Sequence, residues 1–326
     1  MKRTGKALTL LATLLLLAFP FVVWWQAQAL VDWWTLRDYQ PPEKVVELAD
    51  ATTMTPYARH VFYVNKPELI DDVSHFRQQC PDNEQTIVLG CYHSRQSGID
   101  IYDVKDPRLE GIHEVTAAHE MLHATYERLS RAEKAEVNQQ LRDYYNNQLN
   151  DQRIKDTLES YSGLSPDELT NEMHSIFGTE AKDLPENLEN HYKRYFLNRA
   201  VVVELAQNYA NEFAIRKKAI DEYDRKLESL KAEIEATTKR LENQRSSILA
   251  MRSRLDSLRS SGEIDQYNSE VRSFNNQVDS YNSSVEKLRR TIGEYNRLVA
   301  ERNNLAKELQ SLDESIDTRV VPQPLN

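Results

Sequence analysis

Two series of apolar residues at a seven-residue interval run through the C-terminal part of the chain. Phe213, Ile220, Leu227, Ile234, Leu241, Ile248 and Leu255 form the first, with Tyr223, Leu230, Met251 and Leu258 three positions further along. Ile264, Val271, Val278, Val285, Ile292 and Val299 form the second, complemented by Tyr267, Phe274, Tyr281, Leu288 and Tyr295. A stripe at this spacing stays on one side of a helix and is buried only against another helix. Ser260-Ser261-Gly262 separates the series. The simplest solution is two long helices folded back as an antiparallel coiled-coil hairpin, each arm on the order of 75 Å at the helical rise per residue. Thr237 and Gln244 interrupt the seam and are read as setting its register. The change of character begins at about Val201; the hairpin is assigned residues 206–318, and the tail 319–326, with two prolines, is expected to be loose.

Upstream the patterns are short and mixed. Gln40-Pro41-Pro42 closes a linker over 30–42, and Glu43–Ala51 reads as a short helix. His60–Val64 reads as a strand, Glu68–Gln79 as a helix and Thr86–Tyr92 as a strand. Gly98–Val104 alternates Ile99 and Ile101 with Asp100 and Tyr102, as a half-buried strand does. Ser130-Arg131-Ala132-Glu133 is a capping box that opens a helix to about Leu149. Ser165-Pro166-Asp167-Glu168 opens another, running to about Phe177 with Gly178 as its stop. Residues 43–205 therefore read as an α+β lobe with a few-stranded sheet.

The chemistry concentrates in His119-Glu120-Met121-Leu122-His123. Residues four apart lie above one another on a helix, so His119 and His123 offer two imidazole nitrogens to one metal ion. Glu120 is then placed to reach a water without itself binding the metal. Val115, Ala118, Leu122, Tyr126 and Leu129 give this helix one buried face beside the histidines. Catalytic zinc needs a third protein ligand and one open position. The subgroup that uses a third histidine six residues on, with a glycine between, is excluded, because Tyr126 and Leu129 stand there. Glu172 lies among the apolar positions Leu169, Met173, Ile176 and Phe177 of the later helix, and a carboxylate there is costly unless it is paired or metal-bound. Glu172 is the expected third ligand, with Glu180 its rival.

Together these residues resemble a gluzincin, the zinc-peptidase class with two histidines from one helix and a glutamate from a second. Asn171-Glu172-Met173-His174-Ser175 resembles the Asn-Glu-x-x-Ser segment around the third ligand of thermolysin-like enzymes. The resemblance departs at Ile176, where those enzymes carry an aspartate that orients a ligand histidine, and in the longer separation of the two helices. It implies a small zincin-like lobe, bound Zn²⁺ and a peptide or protein substrate. It also implies a cleft strand that pairs with extended substrate, for which Gly98–Val104 is the candidate. Glu120 would be the general base. His191 and Tyr195, on the helix expected after Pro185, and His174 are candidates for stabilising the oxyanion.

The net charge of −10 argues against nucleic acid as a partner. Lys2, Arg3 and Lys6 precede the uncharged, largely apolar run Ala7–Trp25, which as a helix spans about 28 Å, close to the hydrocarbon core of a bilayer. Residues 1–29 are read as a membrane anchor with the positive end in the cytoplasm and the remainder outside, Trp24, Trp25, Trp33 and Trp34 acting as interfacial anchors. Ala27-Gln28-Ala29 fits a signal-peptidase site, in which case the protein is secreted. Either way the two cysteines, Cys80 and Cys91, face an oxidising compartment and are expected to pair. The competing functional reading is an envelope scaffold in which the coiled coil binds a protein partner and the zinc site is vestigial or structural. Structural zinc sites usually have four protein ligands, rich in cysteine, which favours the enzyme.

Overall fold

The structure, a computed structural model, describes residues 27–81 and 87–319. The apolar run Ala7–Trp25 and most of the tail lie outside these. No helix among the described residues is long and apolar enough to cross a membrane. The chain divides into two compact units, one of residues 1–210 and 315–326, the other of residues 211–314.

The first described element of this unit is a helix where a linker is expected: α1 (Ala27–Leu36) is followed by α2 (Glu43–Ala51). His60–Val64 is the end of helix α3 (Pro56–Val64), not a strand. Thr55 caps it by accepting from the Ala58 N–H at 3.2 Å, Pro56 opens it, and Val61, Phe62 and Val64 are buried. A short apolar run has the same composition in a buried helix as in a strand, and here the cap decides. Glu68–Gln79 splits into strand β1 (Glu68–Ile70) and helix α4 (Val73–Gln79), because Asp72 caps α4 through the His75 N–H at 2.6 Å. Strands β2 (Gly90–His93) and β3 (Gly98–Tyr102) complete a sheet of order β1-β3-β2. β1 runs parallel to β3, Leu69 opposite Ile101, and β2 antiparallel, Cys91 opposite Asp100. β3 is thus the central strand, and Gly98–Val104 has no free edge for substrate. Ile99 and Ile101 point into the main core; on the other face Ile70, Phe76 and Cys80 form a small second core. The Cys80–Cys91 disulfide ties the end of α4 to β2.

Helix α5 (Ile112–Glu127) carries the two histidines and is buried nearly all round, not along one stripe. The capping boxes at Ser130 and Ser165 are both formed, opening α6 (Arg131–Asn147) and α8 (Pro166–Thr179) on either side of α7 (Gln152–Ser160). Gly178 does not stop α8; it lies inside the helix at its crossing with α5. A Cβ there would sit 2.4 Å from Leu122 Cδ1 and 2.7 Å from Tyr192 Cε1, so glycine lets the backbones close up. α9 (Glu186–Tyr192) follows, and α10 (Arg199–Ser261) begins within this unit. The chain re-enters it at Ser315. There Thr318 Oγ1 donates to the Val88 carbonyl at 2.7 Å, and Arg77 Nε donates to the Thr318 carbonyl at 2.6 Å.

The second unit is the expected antiparallel helical hairpin, the rest of α10 turning at Gly262, φ 76°, into α11 (Ile264–Ile316). Cross-arm pairs Arg216–Glu308, Tyr223–Glu301, Asp224–Arg302 and Arg254–Glu270 define its register. Thr237, Leu241, Leu255, Leu258 and Leu298 are buried in the seam, whereas Ile292 is 38% exposed. A straight helix drifts about 20° per heptad from a strict seven-residue repeat, so the seam walks off the second series.

Candidate metal centre

The i, i+4 spacing on α5 brings His119 Nε2 and His123 Nε2 to 3.0 Å from each other. α8 crosses α5 and delivers Glu172 from the facing side, its two oxygens 3.5 Å from His119 Nε2 and 3.5 Å from His123 Nε2. The donor atoms of these three side chains all lie within 4.8 Å of one another. Two imidazole nitrogens and one carboxylate, each partly open to a cleft of about 710 Å³, are a donor set that fits a zinc ion. Burial alone would raise the Glu172 carboxyl, but the imidazoles of His123 and His119 hold it below the ordinary glutamate value. His123 Nδ1 is buried without a partner among the described residues. Ile176, where thermolysin-like enzymes have an orienting aspartate, is packed in the core.

Glu120 lines the same cleft and is 5% exposed. Burial pushes its carboxyl up to about 7, assisted by the nearby Glu172 and opposed by His123 and by a hydrogen bond from the Tyr92 backbone N–H. A Cβ at Gly90 would lie 2.6 Å from Thr116 Cγ2 and 2.9 Å from Glu120 Cγ, so only glycine lets β2 lie flush on α5. The strand beside the three converging donors is therefore β2, an edge strand, and not Gly98–Val104. Nothing in the sequence around Gly90 signals this contact.

Glu180 also lines the cleft but is ion-paired with Arg153; it is not among the three converging donors. His174, His191 and Tyr195 do not line the cleft. His174 stands two residues after Glu172 on α8, which turns it to the other side of the helix. Its Nε2 is 2.9 Å from His191 Nε2, and its carbonyl accepts from Tyr192 Oη at 2.7 Å. Burial depresses His174 well below the ordinary histidine value; burial and Arg194 lower His191 to about 4, so both rings are neutral. Tyr195 lies beyond the end of α9 and is fully buried. These three form an aromatic packing cluster behind the site.

A second cluster, Cys80, Cys91, His93 and Asp100, has its donor atoms equally close. Its two sulfurs are joined to each other, which removes them as thiolate ligands. Searches against protein-family models, curated proteins and solved structures found no match to this chain.

Proposed function

We propose that the protein is a zinc-dependent endopeptidase with a zincin-like lobe of gluzincin type. It is attached to the membrane through Ala7–Trp25, with the lobe outside the cytoplasm. The observation that carries this reading is the convergence of His119, His123 and Glu172 from two crossing helices beside a buried, separately held Glu120. Those three residues would hold the zinc, which supplies Lewis-acid polarisation of the scissile carbonyl and a more acidic water. Glu120 would accept that water's proton and return it to the leaving amine. A carboxylate beside the metal ligands but not among them is placed for both transfers. Gly90 leaves room for the Glu120 side chain beside β2. The free edge of β2 would pair with an extended peptide, which suits a protein substrate better than a small ester or amide. Docking of a partner protein is the proposed role of the hairpin.

The test uses the full chain purified from membranes. One zinc per chain is expected, lost in His119→Ala and His123→Ala and retained in Glu120→Gln. Cleavage of an unstructured protein should stop with chelator and fall by roughly 10² or more in Glu120→Gln. Stoichiometric zinc in both histidine variants would end the proposal and favour the scaffold reading.

A further inference from the structure

Helix α1 is amphipathic in reverse. It packs on the lobe through Asp32, which is 3% exposed, while Leu30, Val31, Trp33 and Trp34 are 51%, 51%, 59% and 67% exposed. At 100° per residue Leu30 and Trp34 stand opposite Asp32, with Val31 and Trp33 on the flanks. A helix on a soluble protein buries its apolar stripe and wets its charges. This one does the opposite, and its carboxylate is fully engaged. Arg128 grips it with two bonds, at 2.8 and 2.9 Å; Gln96 donates at 2.7 Å and Gln28 at 2.8 Å, and His60 Nε2 lies 2.9 Å away. Scattered exposed apolar residues need no explanation, but a contiguous four-residue face with two tryptophans does.

What covers that face follows from the chain before it. Only Gln26 separates α1 from the uncharged, largely apolar run Ala7–Trp25. At the far end of the patch the Arg37 guanidinium lies 4.8 Å over the Trp34 ring, an apolar body with a cationic tip. Tryptophan and arginine in this arrangement match the boundary between acyl chains and phosphate headgroups.

We propose that α1 lies in the outer interface of the bilayer with Leu30, Val31, Trp33 and Trp34 in lipid, and that the Asp32–Arg128 clamp holds the metal site close to that surface. This rests on the membrane attachment proposed above. Arg128 caps α5, and His123 and His119 precede it by roughly 8 and 14 Å along the helix axis. Extended peptide spans about 3.3 Å per residue, so these distances correspond to roughly two to four residues of extended chain. The substrate class is thereby the juxtamembrane stretch of proteins or peptides anchored in the same membrane.

The experiment uses the full chain carrying Trp24→Phe and Trp25→Phe, so that Trp33 and Trp34 are its only tryptophans, reconstituted in phosphatidylcholine vesicles with or without brominated acyl chains. Emission should fall by about half or more in brominated vesicles, as expected for interfacial tryptophans. Unquenched emission from chain that sediments with the vesicles overturns the proposal, as does quenching replaced by emission that varies with protein-to-lipid ratio, the mark of a second copy covering the face. Failure to sediment overturns the attachment as well. In a second arm, Asp32→Asn should keep the quenching and the cleavage of a free peptide while slowing cleavage of the same peptide on a lipid anchor about tenfold, the effective-concentration gain of tethering. Equal loss on both peptides overturns the clamp's role. If neither peptide is cleaved by the parent protein, the peptidase reading fails while the quenching still decides the helix.

Discussion

A single added methyl group tests the contact between β2 and α5. Gly90→Ala would push β2 away from Thr116 and Glu120 and break the hydrogen bond from the Tyr92 N–H. The expected result is retained zinc, a stability loss of about 1–3 kcal/mol from overpacking, and a larger loss in kcat/KM than that destabilisation explains. Parallel metal analysis, denaturation and peptide kinetics check it. Asp32 gives a pH signature. Burial would raise its carboxyl, but Arg128, with Gln96, Gln28 and His60, holds it at about 2. A depressed carboxyl contributes stability that is present above the unfolded value, near 3.9, and is lost as pH falls through the folded one. Between pH 5 and pH 2 the protein should lose roughly 2 kcal/mol of stability that the Asp32→Asn variant does not lose. Equal losses in both would show that the clamp contributes no linkage. In the sequence, Asp32 was visible as one acid among apolar neighbours; its four partners were not, because they come from α1 itself, α3, the β2–β3 turn and the end of α5.

At the level of elements, local signals were reliable where they were self-contained. Both capping boxes formed, the two heptad series formed two helices, and the break fell at Ser260-Ser261-Gly262. Elements whose identity depends on packing carry no such signal. α3 looks like a strand because buried helices and strands share apolar composition, and α1 looks like a linker because its apolar side faces outward. β1 is only three residues long and is held by pairing with β3. The hairpin offers its own test. Leu241, 7% exposed, is in the seam, and Leu241→Asp buries an unpaired carboxylate there. The expected loss is about 2–4 kcal/mol of hairpin stability, seen as faster amide exchange in the residues around 241 and 283 with exchange in α5 and α8 unchanged. Accelerated exchange in α5 would mean that hairpin and lobe melt together.

Across the whole molecule, the lobe is completed by chain from both ends of the hairpin. Tyr209 precedes it, and Ile316 and Thr318 follow it; Tyr209 and Ile316 line the cleft, and Thr318 bonds to Val88. Replacing residues 211–314 with a short flexible bridge should therefore preserve zinc binding and short-peptide cleavage, whereas ending the chain after Ala210 should weaken the cleft wall by about 1–3 kcal/mol, the worth of the lost hydrogen bonds. Zinc content and thermal unfolding of the two variants separate these outcomes. Near neighbours along the chain suffice for the helical caps, the heptad arms, the histidine pair four residues apart and the cysteine pair. Which carboxylate meets the histidines, which strand borders them, that His174, His191 and Tyr195 pack behind them, and that α1 turns its charge inward follow from packing between distant segments. Helical periodicity places a side chain on a face of its own helix. What that face meets depends on how distant segments cross, and a crossing such as that of α5 and α8 over Gly178 leaves no local pattern to read.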